Sequence, residues 1–166
     1  KTAGSSSKGE TTAEKAAEDD GGTAADSQKS AADLTENVSA EQLLPLLGSD
    51  PQTAFEAFGA PVSLNILRGS DPSLDDVVSI HESGIYLFWF RDRVWQIGFG
   101  SYFGGMFEGV KIGMTEAEVF EKLGKPQLRE KTTAIYEIFY REFPVSMRFV
   151  FKDAKIAEMY LYRSDL

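Results

Sequence analysis

The frame Gly-x6-Phe-Glu-x-(Phe/Leu)-Gly-x-Pro occurs twice in this chain, as Gly48–Pro61 and as Gly113–Pro126. Each copy predicts a short capped helix. Asp50 is placed to cap the first, with Pro51 at the first helical position, where a missing N–H costs nothing. Thr115 and Glu118 form a T-x-x-E capping box in the second. Phe55 and Phe58, like Phe120 and Leu123, are three apart and share a helical face, which Ala54 and Val119 widen. Phe55 and Phe120 are therefore expected in the core. Gly59 and Gly124 suit a left-handed cap, and Pro61 and Pro126 prevent continuation.

The correspondence runs on into strands. Tyr86-Leu-Phe-Trp-Phe-Arg-Asp92 aligns with Met147-Arg-Phe-Val-Phe-Lys-Asp153, with Phe88/Phe149, Phe90/Phe151 and Asp92/Asp153 in step. A turn and a further strand follow each, Val94–Phe99 and Ile156–Leu161. Two units are fewer than a solenoid needs, so they predict one compact domain made by duplication. Helices followed by runs of strands, twice over, predict an α+β fold: one continuous antiparallel sheet with the helices packed on one face.

Residues 1–38 contain no Phe, Tyr, Trp, Ile or Pro, and Leu34 and Val38 are their only sizeable apolar groups. Such a stretch buries too little apolar surface to offset its conformational entropy, so it is expected to be a disordered tether. The first repeat then spans 39–104 and the second 105–166. Ser39 and Gln42 make an S-x-x-Q box ahead of Leu43, Leu44, Leu46 and Leu47, and Pro45 must fall in a first turn or a kink. The Ser5-x-x-Lys8 pattern lacks supporting motifs, and Asn37-Val-Ser39 is a glycosylation sequon by letter only.

Charge narrows the partners. The 166 residues carry a net charge of -9, from 17 basic and 26 acidic groups. Nucleic acid and anionic membrane surfaces call for basic patches, so neither is the expected main partner. There is no Cys, hence no disulfide or thiolate metal site. No apolar run approaches the roughly 20 residues of a membrane span. The chain opens on Lys1 without a signal peptide, which reads as a chain whose targeting segment has been removed.

Gly113, Met114, Thr115, Val119, Leu123, Gly124 and Pro126, followed by strands and the Phe151-Lys-Asp153 turn, resemble the SmpA/OmlA (BamE-like) envelope lipoprotein family. The tandem arrangement is similar to that of the β-lactamase-inhibitor proteins. The first copy departs from the motif, with Ser49 and Asp50 where Met and Thr would stand. The resemblance covers roughly 39–166. It implies an exported, lipid-anchored, non-enzymatic protein whose sheet or loops bind another protein, either an enzyme or an envelope assembly component. Residues 1–38 would be the spacer behind a lipidated Cys, the only membrane link expected.

Catalytic signals are thin. His81 is the only histidine, so no His–His metal site exists, and it is expected on a strand facing solvent or a polar neighbour. Asp75 and Asp76 are adjacent, and adjacent carboxylates do not face each other as a catalytic pair must. Gly98-Phe-Gly100 lacks the third glycine of a dinucleotide fingerprint, because residue 103 is Phe. No catalytic, cofactor or metal site is expected.

Two interaction surfaces are expected instead. The alignment sends Tyr86, Phe88, Phe90, Met147, Phe149 and Phe151 to the core. Alternation then sends Ile85, Leu87 and Trp89 to the opposite face, beside Ser146, Arg148 and Val150. With Trp95, Ile97 and Phe99 matched to Ala157, Met159 and Leu161 as core, Gln96, Glu158, Tyr160 and Tyr162 complete that open face. Its aromatic, Arg and Gln composition suits a protein interface. Reversed faces, or coverage by the tail, a loop or a second copy, are the competing readings. The second surface is the Gly-rich connection with Tyr102 and Phe103, either a binding loop or a seal over the joint between repeats. Binding of a small apolar ligand in a curved sheet, or a structural role in outer-membrane assembly, are the alternative functions.

Overall fold

The computed structural model describes residues 36–71, 75–139 and 142–166. The expected tether lies outside the described residues up to position 35, as does the Ser5-x-x-Lys8 pattern. Its expected boundary at residue 38 moves upstream. Asn37–Val38 forms a strand (β1) paired in parallel with Met106–Phe107 (β6), and Val38 is fully buried.

Local signals are met closely. Ser39 and Gln42 exchange both capping bonds at the start of α1 (Ala40–Leu43), and Pro45 sits inside the 3-10 turn Leu44–Leu46 that continues it. Helix α2 (Pro51–Phe58) opens on the Asp50 carboxylate, which accepts from the Thr53 N–H at 2.9 Å. Helix α3 (Glu116–Leu123) opens on the reciprocal Thr115–Glu118 box. The carboxylate positions at both starts favour the helix dipole. At the ends, Gly59 and Gly124 have φ of 79° and 78°, with ψ nearly extended at 176° and -163°. Positive φ was expected; the glycine-specific ψ is a correction to the left-handed cap.

The strands β2 (Ser63–Leu67), β3 (Asp76–Ile80), β4 (Ile85–Phe90) and β5 (Arg93–Phe99) precede α3. After it come β7 (Leu128–Glu130), β8 (Thr133–Ile138), β9 (Val145–Lys152) and β10 (Lys155–Arg163). Together they make an 8-stranded antiparallel sheet in the order β2-β3-β4-β5-β10-β9-β8-β7. The order reads alike from either edge. At its middle, Gly98 faces Tyr160, flanked by Ile97↔Leu161 and Phe99↔Met159.

Helices α2 and α3 cover one side. Cross-strand neighbours give that side a continuous row, Ser79–Leu87–Ile97–Leu161–Met147–Tyr136. Leu87, Ile97 and Leu161 are fully buried, and Phe99 and Phe149 likewise. Phe107 stacks on Phe99 at 4.9 Å. Under the helices, Ala54, Phe58 and Val119 are the buried residues, while Phe55 and Phe120 are only partly buried against the core. The helices are short, and these rings sit toward their flanks.

The expected faces of β4 are reversed. Ile85, Leu87 and Trp89 point to the helices and are buried, whereas Tyr86, Phe88 and Phe90 lie on the other side, half-buried. The cause is a one-residue misalignment. Both hairpins turn through two residues of positive φ, Arg91–Asp92 (50°, 59°) and Asp153–Ala154 (52°, 61°). Matching turn to turn sets Arg91, not Asp92, against Asp153, and so Leu87 against Phe149 and Trp89 against Phe151. With a side-chain period of two, one residue of slip inverts every side chain on the strand. Met147, Phe149, Phe151, Ile97, Phe99, Met159 and Leu161 do face the core as expected.

Candidate functional site

The side of the sheet away from α2 and α3 carries two rows. One runs Ile80–Tyr86–Gly98–Tyr160–Arg148–Ile135, the other Val78–Phe88–Gln96–Tyr162–Ser146–Glu137. Directly opposed side chains in such rows touch, so sheet register alone assembles an aromatic surface around one arginine.

A bulge enlarges it. Phe88 pairs with Gln96 and Trp89 with Val94, leaving Trp95 as the extra residue of β5. Alternation from Ile97 would send Trp95 inward, as the sequence reading expected. The bulge re-aims it to the open side, where its ring meets Phe88 edge-on at 6.1 Å. Ala157 is the corresponding extra residue of β10, so it too leaves the expected core phase, and Ile156 takes the buried place.

Gly98 forms the floor. A Cβ there would lie 2.9 Å from the Tyr160 ring and 3.3 Å from Phe88, so only glycine lets both rings lie across the strand. Tyr160 donates to Glu158 Oε2 at 2.6 Å. Burial first, then this hydrogen bond, pushes its phenol well above the ordinary tyrosine range, so it stays a donor at every physiological pH. Arg148 lies with its guanidinium carbon 4.6 Å from the Tyr160 ring centre and 5.4 Å from that of Tyr162. Its Nη2 reaches Gln96 Oε1 at 3.4 Å, a long bond. Stacking between two phenols holds the cation in one place.

Beside these groups is a hollow of about 490 Å³, lined by Asp76, Phe88, Trp95, Gln96, Arg148 and Tyr162 among others. It adjoins a smaller recess bounded by Asp76, Phe90, Trp95 and Leu166. Burial raises the Asp76 pKa, and the nearby Trp95 indole offsets this only in part. Among the described residues that indole N–H, though it faces the Asp76 carboxylate, does not reach hydrogen-bond distance of an acceptor, and neither does Arg148 Nε, although both atoms are shielded from solvent.

The other sequence-predicted residues are divided. Gln96, Arg148, Glu158, Tyr160 and Tyr162 come together here. Leu87 and Trp89 are on the opposite face, at 0% and 7% exposure. In the connection between β5 and β6, Phe103 is buried against Phe99 at 4.7 Å, so it seals the joint, while Tyr102 is 85% exposed and apart from the site. Tyr86, Phe88, Phe90 and Trp95, expected in the core, also belong to this open face. Aligning the hairpin turns, rather than the Phe-x-Phe letters, would have found the first three; only the bulge reveals Trp95.

His81 is buried at 2% exposure rather than facing solvent. Trp89 Nε1 donates to Ser79 Oγ at 2.9 Å, and Ser79 Oγ lies 3.2 Å from His81 Nε2. With its oxygen accepting from Trp89, the serine can give its own proton to Nε2, and Nδ1 then faces the Phe58 and Gly59 backbone at the end of α2. Among the described residues no acceptor comes within hydrogen-bond distance of Nδ1. Burial lowers the imidazole pKa, and that backbone opposes the shift. In the other half Tyr136 holds the matching place, its hydroxyl donating to the Gly124 carbonyl at 2.9 Å. His81 thus packs between the sheet and the end of α2, with the Phe55 and Phe58 ring centres 6.1 and 6.0 Å from its own.

No protein-family model matches the chain, and no curated protein does. The resemblance to envelope lipoproteins is therefore not backed by a family match. Among solved structures, it is similar to an extracellular protein containing an SCP domain from Bacillus anthracis strain Ames. Identity is 12% over 74% of this chain and 45% of that one, with a TM-score of 0.43, so this chain spans under half of that protein's length. It is also similar to a candidate β-lactamase-inhibitor protein from Streptococcus mutans, at 12% identity over 69% of this chain and 82% of that one, with a TM-score of 0.29. Neither likeness assigns a family or an activity.

Proposed function

We propose that this is a non-enzymatic protein-interaction domain that binds a partner protein through the open face of its sheet. The observation that supports this is the composition and placement of that face. Trp95, Phe88, Tyr160 and Tyr162 surround Arg148 at the centre of the sheet, on the side that α2 and α3 leave free. Trp, Tyr and Arg are the residue types that dominate binding energy when desolvated by a partner. Rings locked by Gly98 and by mutual packing lose little entropy on binding.

An exported, lipid-anchored setting in the cell envelope belongs to the same proposal. It draws on the Gly113–Pro126 motif and on the polar composition of the N-terminal stretch as a spacer. Descent of the two halves from one duplicated unit belongs to it as well. The equal eight-residue helices with side-chain caps, the paired positive-φ turns and the palindromic strand order support that descent.

A photo-crosslinking residue tests the face. Placed at Tyr162 in the native cells, it should yield one discrete adduct, while the same residue at Glu121 on the exposed side of α3 should yield none. Equal adducts from both positions, or none from Tyr162, would overturn the proposal.

A further inference from the structure

We infer that the hollow between Trp95 and Arg148 receives an acidic side chain of the partner, carried beside an apolar residue. This rests on the open face being the docking surface. Three observations converge on a carboxylate.

The first is unmet donors. Among the described residues, Arg148 Nε is shielded from solvent without a hydrogen-bond partner, and Trp95 Nε1, likewise shielded, faces the Asp76 carboxylate without closing a hydrogen bond to it; both residues line the same hollow. Buried polar groups are almost always paired, so two unpaired N–H donors bordering one cavity mark a place where an acceptor belongs.

The second is unmatched charge. Among the described residues no carboxylate lies within ion-pair distance of Arg148. The other charged groups around the hollow have partners of their own or stand apart from Arg148. Glu158 accepts from the Tyr160 hydroxyl, and Arg163, which also lines the hollow, is paired with Asp165 at 2.8 Å. Asp76 lines the same hollow on the Trp95 side and is not within ion-pair distance of Arg148. A carboxylate presents acceptor lone pairs on two oxygens and brings the charge that Arg148 lacks.

The third is the apolar wall. Phe88, Phe90, Trp95 and Leu166 flank the polar end. A residue such as Phe or Leu next to the acid would cover them and exclude water from the ion pair. Desolvation of that kind is what turns an exposed, weak charge contact into an anchor.

The test uses blocked dipeptides, N-acetyl-Phe-Glu-amide and N-acetyl-Phe-Gln-amide, titrated into the whole chain. The Trp95 indole N–H and Arg148 Nε–H resonances are followed by NMR. The Glu peptide should shift both resonances and saturate; the Gln peptide should bind about tenfold more weakly or worse, as loss of charge-assisted hydrogen bonds implies. Arg148→Gln should abolish the preference for Glu. Trp95→Phe keeps the ring and removes only the N–H, so it should weaken the Glu peptide severalfold with the fold unchanged by circular dichroism. Equal shifts from both peptides would overturn the carboxylate assignment. Acetate binding as tightly as the Glu peptide would make this a site for free small carboxylates and overturn the partner assignment. If the peptides fail to discriminate while Tyr162 still crosslinks, the anchor is wrong and the docking face stands.

Discussion

Leu87 and Phe88 are neighbours in β4 on opposite sides of the sheet, and truncating each to alanine measures which side is the core. Leu87 is fully buried between Ser79 and Ile97 in the helix-side row. Alanine there removes three carbon groups at about 0.8 kcal/mol each, or about 2.4 kcal/mol of transfer energy. A residual cavity of about 50 Å³, at about 24 cal/mol per Å³, adds about 1 kcal/mol. The expected loss is about 3–4 kcal/mol, well inside the range for buried leucine. Phe88 is half-buried, and water would fill the space its ring leaves. Its loss removes part of a transfer term and edge contacts with Trp95 and Tyr160, both at 6.1 Å, for about 1–2 kcal/mol. Urea unfolding followed by far-ultraviolet circular dichroism gives both values, with an unchanged m-value showing that the unfolded state is the same. A loss below about 1 kcal/mol for Leu87→Ala, or a larger loss at Phe88, would refute the face assignment and with it the candidate site.

The two tryptophans report the same geometry without unfolding the protein. In a Trp95→Phe variant, Trp89 should resist acrylamide quenching, and in Trp89→Phe the remaining Trp95 should quench more readily; equal quenching would contradict the reversal of β4. His81 makes stability depend on pH. Its folded pKa lies below the unfolded value of 6.5, because burial disfavours the cation. The folded state therefore binds fewer protons, and its contribution is complete above about pH 6.5 and lost progressively below it, down through the depressed folded pKa. The urea midpoint should fall between pH 7 and pH 5, and His81→Phe should flatten that slope; an unchanged slope would remove His81 from the account.

Much of this architecture is written locally. Ser39, Asp50 and Thr115 announce three helix starts because a capping side chain acts on backbone within its own turn, and no distant contact is needed. Gly59 and Gly124 mark the ends for the same reason. Alternation along Val145–Lys152 and along Ile85–Phe90 correctly sorts which residues share a face. What alternation does not contain is the sign of that face. Leu87 and Trp89 against Phe88 and Phe90 are two apolar sets, and either would serve as a core if α2 lay above it. The choice is made where Phe55 of α2 meets Trp89 edge-on at 5.7 Å, and where the two-residue turn at Arg91–Asp92 sets the hairpin register. Asp92 and Asp153 do mark the turns, but Asp is second in Arg91–Asp92 and first in Asp153–Ala154, so matching the two Asp letters misplaces the register by one. The extra residue at Trp95 is silent, since a bulge depends on how two strands pair and not on either strand alone. Val38 joins the core only because Phe107 is beside it in space. The open face, its stacked Arg148 and the two unpaired N–H groups depend on β5 lying next to β10, a contact between residues some sixty positions apart that only the closed sheet creates.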